Sequence, residues 1–164
     1  MAMKHFTPEN FQNCTIGLLL GRAAVIKDRI LDDHLVALGV TSAQFKVVII
    51  MAQYAIDTPA ELCRHLSLDS GSMTRMLDRL EDKGLIARRR CPDDRRQVRL
   101  GLTEQGQGLA DQLPDVGANA MNELLGVLSA DELASLEHML TKVLLNAGDA
   151  LTALRVHEKP PSAD

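Results

Sequence analysis

The segment from residue 69 to residue 99 constrains the fold more strongly than any other part of the sequence. In its first half, four apolar residues recur at the spacing of one helix face, while the polar residues between them fall on the other faces. These four are Met73, Met76, Leu77 and Leu80. Asp69 is placed to cap the first turn and Gly84 to end the last one. We therefore predict an amphipathic helix between Asp69 and Gly84.

After Gly84 the spacing changes from that of a helix to that of a strand. Apolar and polar residues alternate on both sides of the segment C-P-D-D-R-R, first in L-I-A-R-R-R and then in Q-V-R-L-G-L-T. Proline and paired aspartates favour a turn. The pattern predicts two short strands joined as a β-hairpin whose tip carries arginines.

The same segment is basic, although the chain as a whole is acidic. From Arg75 to Arg99 there are nine of the 18 Lys and Arg residues and five acidic residues, a local net charge of +4, whereas the 164-residue chain carries −4. A basic element on an acidic body favours contact of one face with a polyanion. The alternative is a solvated charged surface. Because the charges coincide with a helix and a hairpin, we favour nucleic-acid binding.

Three helices are predicted before this segment. The first is long, at about 13–38, and the second begins at T-S-A-Q from Thr41. The third begins at T-P-A-E from Thr58 and ends near His65. Both tetrapeptides are typical of a capping box. The short gap between His65 and Asp69 is the spacing of a helix-turn-helix, whose second helix enters the DNA groove.

Two further helices are predicted after the hairpin. One begins at Thr103, and we expect Pro114 and Gly117 to kink it or to break it in two. The other begins at a third capping box, S-A-D-E from Ser129, and continues along a stripe of leucine and valine.

The predicted fold is a single domain, mainly α with a small β-wing. A winged helix-turn-helix lobe at about 40–103 is flanked by helices at about 10–38 and 104–156, with a poorly ordered arm at 1–10 and a disordered tail at 157–164. The flanking helices must bury their apolar stripes on one another or on a second chain. The second arrangement predicts a homodimer that reads a palindromic operator, with half-sites ~34 Å apart.

The composition indicates which type of nucleic acid and which cellular compartment to expect. The four aromatic residues all lie outside the basic segment, which favours duplex DNA over RNA or single strands, whose bases usually stack on aromatic side chains. No apolar run approaches the roughly 20 residues of a membrane span, and no signal peptide is recognisable. The three cysteines show no pairing pattern. We expect a cytoplasmic protein without a membrane partner.

No catalytic or cofactor motif stands out. A nucleophile motif, a P-loop and a dinucleotide fingerprint are all absent from the sequence, and its histidines and cysteines lack the spacing of a metal site. We therefore expect a protein that is not an enzyme and that has no cofactor.

Several segments resemble the MarR family of bacterial transcriptional regulators. They are T-S-A-Q-F-K-V-V from Thr41, P-A-E-L from Pro59, S-M-T-R-M-L-D-R-L from Ser72, K-G-L-I from Lys83 and P-D-D-R-R from Pro92. The resemblance covers about residues 10–145. It implies a dimeric winged helix-turn-helix repressor that small aromatic acids or phenols release from its operator.

The resemblance also implies roles on DNA. The residues it places against DNA are Ser70, Ser72, Thr74, Arg75, Arg90, Asp94, Arg95 and Arg96. Those of the helix would face the major groove, with Arg75 making the base-edge contact. In the family's D-x-R motif, Asp94 would brace the wing turn while Arg96 enters the minor groove and Arg95 lies near phosphate.

A ligand site is implied between the DNA lobe and the flanking helices. Its residues by resemblance are Pro59, Thr74, Met76, Arg79 and Arg88. Two arginines can hold a carboxylate through charge-assisted hydrogen bonds. The alternative is that Arg79 and Arg88 pair with Asp78, Glu81 or phosphate.

Other functions stay open at this point. Cys63 or Cys91 would make the chain a redox-responsive regulator, although an inert thiol is the commoner case. The chain would otherwise be a DNA-binding protein without ligand response, an architectural DNA binder without sequence preference, or a module whose basic face meets an acidic protein.

Overall fold

The computed structural model describes residues 5–90 and 98–158. In chain order the elements are α1 (Pro8–Phe11), α2 (Ile16–Leu35), α3 (Ser42–Tyr54), α4 (Pro59–Leu66), α5 (Ser70–Asp82), β1 (Ile86–Arg90), β2 (Val98–Leu102), α6 (Glu104–Ala110), α7 (Leu113–Leu125), α8 (Ala130–Asn146) and α9 (Ala150–Glu158). A 3-10 turn, Val36–Leu38, follows α2. The predicted class, mainly α with a small two-stranded wing, is confirmed.

The predicted helix starts are held by side-chain caps. The Thr41 hydroxyl accepts a hydrogen bond from the backbone N–H of Gln44, whose side-chain oxygen accepts one from the Thr41 N–H. Ser129 and Glu132 make the same reciprocal pair at the start of α8. At α4 the Thr58 hydroxyl accepts from the Glu61 N–H at 3.3 Å and itself donates to the Glu61 carboxylate at 2.6 Å. These contacts satisfy N–H groups that the first turn of a helix leaves free.

The two strands pair antiparallel directly after α5. Ile86 lies opposite Leu102, and Arg90 lies opposite Val98. Gly84 precedes them with a φ of +68°, a backbone conformation that glycine adopts without strain. The hairpin therefore leaves the end of α5 through a tight turn, as the sequence predicted.

The start of α6 lies against the base of this hairpin. The Thr103 N–H donates to the Leu85 carbonyl at 3.1 Å, and the Thr103 hydroxyl donates to the Gly84 carbonyl at 2.5 Å. Gly106 approaches the same strand so closely that a Cβ there would lie 1.9 Å from the Leu85 oxygen. Only glycine fits at this position, and the wing and α6 are thereby held together.

One aliphatic core joins α3, α4, α5 and the hairpin to the end of α2. Its fully buried large side chains are Leu35, Val47, Val48, Leu62, Met73, Leu77, Leu80, Ile86 and Leu113. Three of the four residues of the predicted α5 stripe are buried, and the fourth, Met76, packs partly buried against the same core. The amphipathic helix prediction is confirmed.

A second apolar surface stays exposed in the single chain. It comprises side chains of α2 and α8: Ile16, Leu18, Leu19, Leu20, Val25, Leu133, Met139, Val143, Leu144 and Leu145. We call this set the apolar face. No residue of α8 is buried, and α8 packs mainly against α9.

The structure differs from the sequence predictions at the N-terminal arm and at the C-terminal tail. Part of the expected arm forms the short helix α1, with Pro8 at its first position. The predicted break of the helix from Thr103 is present between α6 and α7, and Pro114 lies in the first turn of α7, where its missing N–H costs nothing. A separate helix, α9, follows Gly148 and reaches Glu158, two residues into the predicted tail.

Within the described residues no single helix is long and apolar enough to cross a membrane. The segments Ile16–Leu38 and Ser42–Tyr54 satisfy that length and hydropathy only as a pair, and they are bent by 79° at the break between them.

Candidate nucleic-acid interface

Helices α4 and α5 form the helix-turn-helix. The turn between them contains Ser67, with a φ of 52°, and the Leu68 N–H donates to the Cys63 carbonyl at 3.1 Å. This left-handed cap ends α4 abruptly and allows α5 to begin after only three residues. The predicted spacing of the two helices is confirmed.

The first turns of α5 present polar side chains to solvent. Ser70, Thr74 and Arg75 are exposed and Ser72 is partly exposed, whereas Met73 on the opposite side is buried. This distribution leaves one face of α5 free for a partner. Four of the residues predicted to contact DNA are therefore on one accessible helix end.

Two of these side chains already have hydrogen bonds on the helix. The Arg75 guanidinium donates from Nη2 to the Ser72 hydroxyl at 3.1 Å. The Thr74 hydroxyl donates to the Ser70 carbonyl at 2.8 Å. Arg75 still has free N–H groups, so its orientation beside Ser72 is compatible with a bidentate contact to a base.

The cap of α5 is charged. The Ser72 N–H donates to the Asp69 carboxylate at 2.9 Å. Hydrogen bonds from the side chain and then the backbone of Ser72 lower the pKa of Asp69 below its usual value of 3.8. The ionised carboxylate is favoured at a helix N-terminus, where it complements the helix dipole.

The base of the wing is fixed to the loop between α3 and α4. Arg99 of β2 lies 2.5 Å from the Asp57 carboxylate, and the Leu100 N–H donates to the Asp57 carbonyl at 2.7 Å. Arg89 of β1 is exposed. One residue thus anchors the second strand through both its side chain and its backbone.

Some of the residues predicted in the wing are not described. Arg90 ends β1, but its side chain lies outside the description. Cys91, Asp94, Arg95 and Arg96 all lie outside the described residues.

Arg88 lies on β1 and points back to α5. Its Nη1 is 2.7 Å from the Asp78 carboxylate and 2.8 Å from that of Glu81. Its backbone N–H also donates to Glu81 at 3.2 Å. The pairing that the sequence left open, Arg88 with Asp78 and Glu81, is therefore present.

The other predicted ligand residues are less closely connected. Arg88 Nη2 lies 3.5 Å from the Thr74 carbonyl, so two of the five predicted ligand residues are in contact. Arg79 is exposed and has no ion pair within the described part of the chain, and Pro59 starts α4. None of the five lines either of the two clefts described, which lie between α4 and α9 and between α3 and β2.

The thiols and potential metal ligands are dispersed. Cys14 and Cys63 are free and partly exposed. Across residues 5–90 and 98–158, no three His, Cys, Asp or Glu side chains are grouped so that they could hold a metal ion.

One contact that positions α5 was not predicted. Lys83, at the end of α5, donates from Nζ to the Gly39 carbonyl at 2.5 Å and to the Gln44 side-chain oxygen at 2.9 Å. Asp32 of α2 accepts from the Ser42 N–H at the same corner. The C-terminal end of α5 is therefore bonded to the corner between α2 and α3, and no local pattern could have revealed a contact across more than 40 residues.

Comparison with known proteins agrees with this architecture. The MarR family profile matches residues 40–98, from the start of α3 to the second strand of the wing. The multiple antibiotic resistance protein MarR of Escherichia coli is 43% identical over 130 residues, which is 79% of this chain and 90% of that protein. The chain belongs to the MarR family.

Solved structures of MarR proteins share the fold. A crystal structure of a cysteine-to-serine mutant of E. coli MarR complexed with operator DNA matches with a TM-score of 0.73 and 40% identity, covering 85% of this chain and 99% of that one. A Mycobacterium tuberculosis MarR family protein in complex with p-aminosalicylic acid matches with a TM-score of 0.65 and 28% identity, covering 79% and 98%. The MarR resemblance drawn from the sequence is confirmed.

Proposed function

We propose that this chain is a homodimeric transcriptional repressor that binds a palindromic operator in duplex DNA. The observation that carries the proposal is the exposed polar end of α5, with Arg75 beside Ser72, on a helix whose other side is locked into the core. The similar MarR of E. coli has been crystallised on operator DNA. A helix with a rigid apolar side and a free polar side meets the requirement for reading base edges in a major groove.

The wing supplies the sequence-independent part of this contact. Arg89 is exposed on β1, and the hairpin tip carries Arg95 and Arg96 in the sequence. We assign Arg96 to the minor groove, with Asp94 bracing the turn, and Arg90 and Arg95 to the phosphates. Contacts of this kind raise affinity for all DNA and make binding depend on salt.

The apolar face favours dimerisation. Ten large apolar side chains of α2 and α8 are exposed in the single chain, and large exposed apolar surfaces mark interaction sites. Burying them against the same helices of a second copy would create a twofold axis. Such a dimer presents two α5 helices to the two halves of a palindrome.

Small aromatic acids or phenols are proposed as effectors. The Arg88 guanidinium is held in place by Asp78 and Glu81 next to the Thr74 carbonyl. Pro59, Met76 and Arg79 complete the set that the MarR resemblance assigns to this site, and a relative binds p-aminosalicylic acid. A carboxylate that takes Arg88 from its acidic partners would loosen the tie between the wing and α5.

Selection of bound sites from random duplex DNA tests the proposal. A sequence-specific dimer enriches one palindrome, and salicylate lowers its occupancy in a subsequent titration. Enrichment of no sequence would leave an architectural DNA binder, and the absence of any salt-dependent DNA binding would remove the proposal altogether. A regulator, rather than an enzyme, is the class that fits these features.

A further inference from the structure

A cleft of about 430 Å³ lies between α4 and the C-terminal helix α9. Its lining residues come from the end of α3, from α4 and from α9: Tyr54, Ala55, Ile56, Glu61, Arg64, His65, Ala150, Ala153, Leu154 and His157. We call it the α4/α9 cleft. It shares no residue with the predicted effector set around Arg88, and α9 lies outside the segment that the family profile matches. The MarR resemblance therefore assigns no function to this cleft.

His65 is the polar residue that makes this cleft unusual. It is only 8% exposed, and its Nδ1 has no hydrogen-bond partner among the described residues. Buried polar groups are rarely left unpaired, because losing water without gaining a partner costs free energy. A group supplied from the cleft would remove that cost.

The neighbouring arginine identifies which hydrogen-bonding group is missing. Arg64 Nη2 lies 3.5 Å from His65 Nε2, and a guanidinium can only donate. A contact in which Arg64 donates makes Nε2 the acceptor and leaves Nδ1 as the N–H donor of the ring. The Asp149 carboxylate before α9 accepts from the Thr152 N–H at 2.7 Å and interacts electrostatically with His65, but it makes no hydrogen bond to Nδ1. What His65 lacks is an acceptor, such as an oxygen of a ligand.

Arg64 provides the charge that would attract such an oxygen. Its side chain is exposed and forms no ion pair within residues 5–90 and 98–158. Glu61, an acid of the same helix that also lines the cleft, accepts from the Thr58 hydroxyl at 2.6 Å and forms no ion pair with Arg64. A free guanidinium and an unpaired N–H in one cleft favour a carboxylate over a neutral or cationic molecule.

Five of the remaining lining residues are apolar, and the other three are the polar Tyr54, Glu61 and His157. Ala55, Ala150 and Ala153 leave space between the helices, and Ile56 and Leu154 supply apolar walls. A pocket that combines apolar walls with a few convergent polar groups is typical of small-molecule sites. The body of the ligand should accordingly be apolar.

We propose that the α4/α9 cleft binds a small carboxylate with an apolar body, held by Arg64 and by the Nδ1–H of His65. The ligand bridges α9 to α4, the first helix of the helix-turn-helix. This site is separate from the proposed Arg88 site, and the proposal does not require DNA binding.

Amide NMR of the full-length protein titrated with sodium benzoate tests the proposal. We expect saturable shifts of the amide signals of α9, from Ala150 to Leu154, and of the ring signals of His65. Benzamide, which keeps the shape but not the charge, should bind at least about tenfold more weakly because it loses the charge-assisted contact with Arg64.

Variants of single residues test whether benzoate binds in the α4/α9 cleft. Arg64→Gln should weaken benzoate by about tenfold, and Ala153→Leu, which fills the cleft, should abolish the α9 shifts. Arg155→Gln removes the same charge from α9 outside the lining residues and should leave the shifts unchanged. Thermal unfolding of each variant confirms that the chain is folded.

Two results would overturn the inference. One is the absence of saturable α9 shifts at millimolar benzoate, and the other is an undiminished response in folded Ala153→Leu. If the first result comes with shifts confined to the surroundings of Arg88, it would at the same time support the proposed effector site. Loss of DNA binding without a change in the α9 titration would affect only the proposed function.

Discussion

Arg88 of β1 and Asp78 of α5 form an ion pair with 2.7 Å between Nη1 and Oδ1. Since Glu81 shares the same guanidinium, Arg88 ties β1 of the wing to two acids of α5. An effector carboxylate at Arg88 must compete with two acids that are already there. The acids therefore set the affinity for such an effector.

Asp78→Asn should tighten salicylate binding. Removing one competing charge releases part of the Arg88 guanidinium, and because the pair is partly exposed the gain should be modest, up to about fivefold. Calorimetry with salicylate measures it. Asp82→Asn, an exposed acid on the same helix, serves as the control, and Arg88→Ala should remove the heat. Equal affinities for Asp78→Asn and the wild type would argue against Arg88 as the carboxylate partner.

Arg75→Ala should relax sequence preference. A bidentate arginine contact to guanine discriminates by about 1–3 kcal/mol, whereas a phosphate contact affects all sequences alike. Site selection followed by titration of operator and scrambled duplexes separates the two effects. Arg155→Ala, which removes a charge far along the chain on α9, controls for the loss of charge. An unchanged ratio of the two affinities would take Arg75 out of base reading.

Leu144→Glu and Leu19→Glu should convert the protein to a monomer. Both residues belong to the apolar face, and a buried unpaired carboxylate at a dimer interface is strongly unfavourable. Sedimentation velocity at micromolar concentration measures the state, with Gln107→Glu on α6 as a control for the added charge. Persistence of the dimer in both variants would place the interface elsewhere.

Gly106→Ala should destabilise the protein, whereas Gly108→Ala on the same helix should not. A Cβ at position 106 would overlap the Leu85 carbonyl, and overpacking of this kind costs roughly 1–3 kcal/mol. At position 108 a Cβ meets no atom within 4 Å, so better helix propensity should stabilise by up to about 1 kcal/mol. Urea unfolding of the two variants makes the comparison. Equal stabilities would mean that α6 can move away from the wing.

The charged cap of α5 should make stability depend on pH at the acid end. The pKa of Asp69 is lowered on folding, so its contribution is fully present above the ordinary value of 3.8 and is lost as pH falls through the lowered value. Asp69→Asn keeps a cap without this charge. The difference in melting temperature between the two proteins should therefore shrink as pH falls below 3.8. A difference that stays constant down to pH 2 would contradict the assignment.

Much of the fold was predictable because its signals are local. The Thr41, Ser129 and Asp69 caps and the apolar stripe of α5 each involve residues three or four apart. The helix-turn-helix and the hairpin follow from their order and spacing. Such patterns locate elements without reference to the rest of the chain.

What the sequence could not supply depends on distant contacts. The choice between a free and a paired Arg88 became clear only when β1 was placed beside α5. The α4/α9 cleft joins residues about 90 positions apart, and α9 itself was hidden by being merged with the helix before it. Gly148 followed by Asp149, a helix-ending residue followed by a capping residue, was the local sequence signal that would have separated them, and the structure has Gly148 at a φ of +76° and Asp149 as the cap of α9.

The Lys83 contact with the Gly39 carbonyl bears on how a dimer would adjust to its operator. Helix α2, which carries part of the apolar face, ends near this corner, and α5 ends there as well. In a dimer built on α2, the corner would therefore connect the angle between the two chains to the direction of α5. The link is a flexible chain of four methylenes rather than a rigid backbone turn. Because α5 is also packed into the core through Met73, Leu77 and Leu80, a tilt of α2 would carry the helix-turn-helix with it, so the angle between the two chains of a dimer would fix the separation of their α5 helices.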